Sequence, residues 1–235
     1  MRKIIQAVLF DIDDTLYDRN LSQSLILERI VKKLPRIFQS IKMDRILEAF
    51  FESDRATTDA FNAGAPSEGL RDVRSREFLR LLGIEEAAAD TITEIYVREY
   101  PDINAPVNGA VLLVTEAGRR FKVGAVSNGF PDVQYRKLET LGIRDAFKCI
   151  VLSEEIGVRK PDPRIFRQAA GLLGVPCSAC LYVGDSYDSD IVGAKAAGMT
   201  TCWFCRDAAF PENALVHTDY AVGDLEKLRR ILERL

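Results

Sequence analysis

Ile4-Ile5-Gln6-Ala7-Val8-Leu9-Phe10-Asp11-Ile12-Asp13-Asp14-Thr15-Leu16 is a short apolar run that stops on a cluster of acids. Residues 4–10 have the length and composition of a buried strand, β-branched at its start and followed by turn-forming acids. Asp11 and Asp13 therefore fall where a buried strand leaves its sheet. Two carboxylates so close together there are costly unless a cation or protons offset their charge. Mg²⁺, a hard cation that takes carboxylate and carbonyl oxygens, suits them. An acidic turn is the plainer alternative.

Outward from this stretch the chain changes period twice. Residues 21–100 read as helices. Leu21, Leu25, Ile26, Ile30 and Leu34 recur at helical spacing, and Pro35 predicts a kink or break. Asp44 is placed to N-cap a helix through Phe61, a third helix near 69–82 closes at Gly83, and a fourth runs over about 86–99. From residue 107 short apolar strands alternate with helices: strands 122–126, 149–152, 181–183 and 200–204, helices about 107–120, 132–141, 163–173 and 189–197. That alternation predicts right-handed βαβ units, hence an α/β fold with a doubly wound parallel sheet. The first strand joins this sheet, so the helical stretch is an insertion, expected over the carboxyl end of the sheet where such folds bind ligands. The division expected is 1–16 with 106–235 as an α/β core and 17–105 as a helical cap.

Composition narrows the class. The 235 residues are 47% hydrophobic, enough for a core. Net charge is −3, which gives no electrostatic reason to expect nucleic acid or an anionic membrane as partner. No uncharged apolar run reaches the roughly 18 residues of a spanning helix, and the N-terminal apolar run is too short for a secretory signal. The five cysteines are an odd set, all at or beyond residue 149, which is poor material for a disulfide framework and points to a reducing cytoplasm.

Four segments follow four predicted strands and so share one sheet edge. The first carries Asp11 and Asp13. The second, Val126-Ser127-Asn128-Gly129, offers a hydroxyl and backbone N–H groups to an anion, although it is also ordinary turn chemistry. The third, Arg159-Lys160-Pro161-Asp162-Pro163, supplies an ammonium before a helix that Pro163 would open. The fourth, Val183-Gly184-Asp185-Ser186-Tyr187-Asp188-Ser189-Asp190, presents Asp185 to a metal. Asp188 reads as a helix cap, and for Asp190 both metal-site and helix-start readings stand. A carboxylate cluster, an anion cradle and a lysine on one edge make a phosphoryl-transfer site.

In order and position these four segments resemble the haloacid dehalogenase-like (HAD) hydrolase superfamily, across the whole chain. The resemblance implies a HAD-like Rossmannoid core with an inserted helical cap, and Mg²⁺ as cofactor. It implies Asp11 as the nucleophile that becomes an aspartyl-phosphate and Asp13 as the general acid/base. Ser127 and Asn128 would bind the phosphoryl oxygens, and Lys160 would hold Asp11 and the phosphoryl group. The metal would be held by the Asp11 side chain, the Asp13 main-chain carbonyl and Asp185, supported by Asp190. Asp13 argues against the dehalogenases of the superfamily, which lack that acid. Ser127-Asn128-Gly129-Phe130 with Gln134, Arg136, Lys137, Leu138 and Glu139, Ser153–Val158, and Thr201-Cys202-Trp203 resemble the house-cleaning 5′-nucleotidases. The expected activity is a Mg²⁺-dependent phosphatase of small phosphorylated metabolites, narrowed by that likeness to a 5′-nucleotidase. The alternatives are a sugar- or triose-phosphate phosphatase, or a HAD-fold binding or regulatory protein of weak turnover. The chain is expected to act as a monomer or homodimer.

Other residues draw attention without entering this site. Cys177-x-x-Cys180 and Cys202-x-x-Cys205 have a zinc-like spacing, but residues three apart on a strand point to opposite faces, so free thiols are expected. His217 is the only histidine and reads as packing. Arg71, Arg74 and Arg76 read as a solvated helix face.

Overall fold

The computed structural model describes residues 4–206 and 216–235. The first three residues of the stretch read against a secretory signal lie outside them. The chain divides into two compact units, one of Met1–Arg19 with Asn104–Leu235 and one of Asn20–Ile103.

The first unit is built on six parallel strands: β1 (Ala7–Phe10), β2 (Lys122–Ser127), β3 (Cys149–Leu152), β4 (Cys180–Gly184), β5 (Thr200–Phe204) and β6 (Tyr220–Val222), in the order β3-β2-β1-β4-β5-β6. β1 is central and its four residues are wholly buried, as a strand covered on both faces must be. In register, Phe10 lies opposite Ala125 on one side and Val183 on the other. The residues after β1, β2 and β4 therefore emerge side by side. The strand order reverses direction between β1 and β4, the crevice where doubly wound sheets place ligands.

Two elements lie beyond the last predicted strand. β6 extends the sheet edge, and helix Leu225–Arg234 follows, N-capped by Asp224, whose carboxylate accepts from the Lys227 N–H at 2.7 Å. The helix expected over 189–197 begins instead as a π-helix, Tyr187–Val192, continued by Gly193–Ala196. Its cap is Ser186, which accepts from Ser189 N–H at 3.3 Å. Asp188, expected to cap, is exposed.

The second unit packs helices Met43–Asn62, Leu70–Leu81 and Ala89–Glu99 around an aromatic cluster. Phe50 meets Phe78 edge-on and Tyr96 in a stacked arrangement, both at 5.5 Å between centroids. Pro35 does break its helix: one segment ends at Lys33 and a short turn begins at Pro35. Asp44 does not cap. Lys42 occupies that position and Asp44 lies in the first turn, where an acid favours the positive helix end. Arg74 is not on a solvated face. It falls between Leu70 and Phe78 on the buried stripe, with Asp54 at 3.1 Å and its guanidinium 3.9 Å from the Tyr96 ring centroid. Arg71 is half-buried, and Arg76 is exposed and pairs with Asp90.

Candidate active site

Every residue singled out for chemistry in the sequence lies in the first unit. Asp11 leaves β1 with its N–H donated to the Val183 carbonyl at 2.9 Å, which fixes its backbone against β4. The Lys160 ammonium bridges two buried acids, donating to Asp11 Oδ1 at 2.5 Å and Asp190 Oδ1 at 2.7 Å. Asp190 is fully buried. Its Oδ1 also accepts from the Tyr182 hydroxyl at 3.0 Å, and its Oδ2 accepts from Ser186 N–H at 3.1 Å. Gly184 is required here, because a Cβ would stand 2.4 Å from the Asp190 carboxyl carbon.

Carboxylate oxygens of Asp11, Asp185 and Asp190 lie within 4.8 Å of one another, the only such acid, cysteine or histidine cluster among the described residues. Asp190 spends both oxygens on protein donors. Among the described residues, the Asp185 carboxylate receives only the Thr15 hydroxyl, at 3.5 Å. Burial, then the charges of Asp11 and Asp190, push the Asp185 carboxyl well above its ordinary range. Burial likewise raises Asp11, to about 7, against the pull of Lys160. Burial alone would lower Lys160, but Asp11 and Asp190 outweigh it and hold the ammonium above its usual value. Two buried carboxylates, Asp11 and Asp190, and the half-buried Asp185 thus face one ammonium, and the donor set is oxygen throughout. That deficit of positive charge and those hard donors fit Mg²⁺.

Asp13 is fixed from the other side. Lys137 donates to its Oδ1 at 2.5 Å and Gln134 Nε2 to its Oδ2 at 2.7 Å. Burial would raise its pKa, yet Lys137 and then Arg19 hold it below the usual carboxylate range. The chain then turns through Asp14, at φ 55°, whose carboxylate accepts from Arg19 N–H and from Arg206. Ser127 ends β2, its Oγ accepting from Gly129 N–H at 3.0 Å and Gln134 Nε2 at 2.8 Å.

The Asn128 side chain is committed to the protein itself. Its Oδ1 accepts from Lys160 N–H at 2.9 Å and its Nδ2 donates to the Lys160 carbonyl at 3.1 Å. The side chain therefore holds the Lys160 loop in place, and what Asn128 has left for an anion is its main-chain N–H. Pro163 opens its helix as expected, with Asp162 as the cap. Gln134, Lys137 and Tyr182 were not assigned site roles from the sequence. The signal for the first two was their spacing of three on the helix after Ser127, which puts both side chains on one face. All five cysteines are free thiols, and burial pushes those of Cys180 and Cys202 up to about 12. The His217 ring lies 6.3 Å from that of Tyr187.

Residues 5–198 match the family model for haloacid dehalogenase-like hydrolases. The chain belongs to that family. Within it, the similarity runs to the phosphatase branch. The chain is 34% identical over 201 residues to the glyceraldehyde 3-phosphate phosphatase of Methanopyrus kandleri, covering 84% of this chain and 83% of that one. It is 33% identical over 175 residues to the pyrimidine 5′-nucleotidase YjjG of Escherichia coli, covering 74% and 76%. Among solved structures, the HAD-hydrolase YfnB of Bacillus subtilis, determined with magnesium bound, superposes with a TM-score of 0.83 at 26% identity, covering 98% of this chain and 100% of that one. No helix among the described residues is long and apolar enough to cross a membrane.

Proposed function

We propose that this family member is a Mg²⁺-dependent phosphomonoesterase acting on small phosphorylated metabolites through an aspartyl-phosphate on Asp11. The observation that carries this reading is the cluster of Asp11, Asp185 and Asp190 around the Lys160 ammonium, short of positive charge and offering hard oxygen donors. Asp11 and Asp185, with the Asp13 main-chain carbonyl, would hold Mg²⁺, which when bound neutralises charge on the transferring phosphoryl group.

The Asp11 carboxylate attacks phosphorus, a P–O bond forms to Asp11, and the bond to the leaving oxygen breaks. Asp13, which holds a proton once the phosphate dianion lies beside it, gives that proton to the leaving oxygen. Asp13 then removes a proton from water, which attacks the aspartyl-phosphate and frees phosphate and Asp11. Ser127, the main-chain N–H groups after β2 and Lys160 offset charge on the non-bridging oxygens. Asp190 and Tyr182 keep the ammonium beside Asp11, and the Asn128 side chain keeps the loop that carries it.

Two substrate classes follow. The likeness of Ser127–Phe130 and Ser153–Val158 to the 5′-nucleotidases, together with the Escherichia coli relative, supports 5′-nucleoside monophosphates. The Methanopyrus kandleri relative, aligned over more of the chain, supports triose phosphates. Hydrolysis of an aryl phosphate with and without chelator tests the activity: turnover should vanish in excess chelator and return with Mg²⁺, Ca²⁺ substituting poorly. Full activity in chelator would overturn the metal reading. The ratio of kcat/KM for the two substrate classes decides between them, a tenfold gap being equivalent to about 1.4 kcal/mol of transition-state binding.

A further inference from the structure

We propose that Gln134 and Lys137 are positioning residues that aim the Asp13 carboxyl at the leaving-group oxygen, Gln134 also tying it to Ser127. This rests on the reading of Asp13 as proton donor given above, and it adds what makes that residue effective.

Asp13 follows the strand end by three residues, in a turn that leaves its side chain 26% exposed. A carboxyl there has two free torsions, and a general acid works only within hydrogen-bond reach of the atom it protonates. Both of its oxygens are held from one helix. Lys137 takes Oδ1 and Gln134 takes Oδ2, so the carboxyl can neither rotate nor swing away. The two residues sit one helical turn apart on Pro131–Thr140, on the face they both bury, and are 0% and 2% exposed. Lys137 is braced in turn by Tyr17, its ammonium 4.7 Å from the ring centroid.

Gln134 carries the stronger indication. Its Nε2 makes both bonds, to Asp13 and to the Ser127 hydroxyl, while its buried Oε1 has no hydrogen-bond partner among the described residues. An orphaned buried acceptor costs stability, and a side chain selected for packing alone would not keep one. Rotating the amide would set Oε1 against the Asp13 carboxylate, so the orientation is forced by Asp13. The same amide explains Gly129. A Cβ at that position would stand 2.0 Å from Gln134 Nε2 and 2.5 Å from its Cδ, although the backbone there is one that any residue adopts. Gly129 clears the space that Gln134 needs to reach both Asp13 and Ser127.

The test compares kcat/KM for two esters, because kcat/KM reports on steps up to phosphoryl transfer to Asp11. 2,4-Dinitrophenyl phosphate has a leaving group that needs no proton; glycerol phosphate has one that does. The variants are Gln134→Leu, Lys137→Met, Lys137→Arg and Gly129→Ala. Gly129→Ala keeps every polar group and displaces only the flexible end of Gln134, so it carries the test even where Lys137→Met fails to fold. Lys137→Met should lose about 10²-fold on glycerol phosphate and less than about 3-fold on the dinitrophenyl ester; Gln134→Leu and Gly129→Ala, which also release Ser127, should show the same extra loss of about 10²-fold on glycerol phosphate on top of a loss shared by both esters. Lys137→Arg should recover most of the loss. Asp13→Asn is the reference. If it is selective for the glycerol ester while the other variants lose both esters equally, the positioning role is wrong and the assignment of Asp13 stands. If Asp13→Asn itself loses both equally, the proton-donor reading falls and the positioning role falls with it.

Discussion

Replacing Asp190 by Asn keeps the shape of a fully buried side chain and removes one charge and one acceptor. The carboxylate receives three donors: the Lys160 ammonium at 2.7 Å, the Tyr182 hydroxyl at 3.0 Å and the Ser186 N–H at 3.1 Å. An amide has one oxygen, so its NH₂ must face at least one of them. Losing a charged hydrogen bond costs about 1.5–3 kcal/mol, and a buried donor left unpaired adds about 1–3 kcal/mol. Lys160 retains Asp11, and losing the Asp190 charge relieves its repulsion of Asp11 and Asp185, so the total is expected at about 3–5 kcal/mol, short of the upper end of that sum and in the range for breaking one partner of a buried pair. For a unit of this size that corresponds to a fall in Tm of about 6–20 °C. The protein carries its own probe: Trp203 is the only tryptophan, and its indole N–H donates to the Asp185 carbonyl at 2.7 Å, in the same unit. Thermal unfolding followed by its fluorescence, in chelator, reads the effect. Asp188→Asn is the control, the same chemical change on an exposed residue of the same helix, and should leave Tm unmoved. A fall of less than about 3 °C for Asp190→Asn would refute the reasoning, since it would mean that the three donors find other acceptors.

Asp11→Asn removes the attacking charge, and kcat should fall by at least about 10³-fold, with mass spectrometry excluding deamidation; near wild-type turnover would end the nucleophile assignment. In the native state Cys180 and Cys202 should resist iodoacetamide at pH 8 and react once the chain is unfolded in urea, because burial has pushed both thiols to about 12; peptide mapping that finds either alkylated in folded protein would contradict that burial. Asp219 offers a pH test. Burial raises its pKa, but bonds from Lys195 and from Thr201 hold the carboxyl below its ordinary value of 3.8. A depressed carboxyl contributes stability above the unfolded value and loses it as pH falls through the folded one. The Tm gap between wild type and Asp219→Asn should therefore be open at pH 6 and close on acidification below 3.8. A gap independent of pH would show that the network acts by packing alone.

The sequence by itself determined the elements whose pattern is local. The apolar run before Asp11, the strands at 122–126, 149–152, 181–183 and 200–204, and the glycines that close their preceding helices are readable because strand and helix periods are properties of a few neighbouring residues. Chain order then implied a parallel sheet, and with it the gathering of Asp11, Ser127, Lys160 and Asp185 at one edge, since each follows a strand. What no local pattern carries is which polar atoms meet. Lys160 lies 149 positions from Asp11, and whether it pairs with Asp11, with Asp190 or with both depends on packing across the sheet. Asn128 follows a strand, as a phosphate ligand would, but only the fold shows that both ends of its amide lie on the Lys160 backbone. Arg74 looked solvated by composition, although its place between Leu70 and Phe78 already put it on the buried stripe. Its partner Asp54 is twenty residues away on another helix. Gln134 and Lys137 were visible as a pair three apart, but their bonds to Asp13 span 121 and 124 positions. Side-chain periodicity is set within a turn or a strand, whereas hydrogen-bond partnership is set by elements that only folding brings into contact, so the sequence named the groups and the tertiary structure chose their partners.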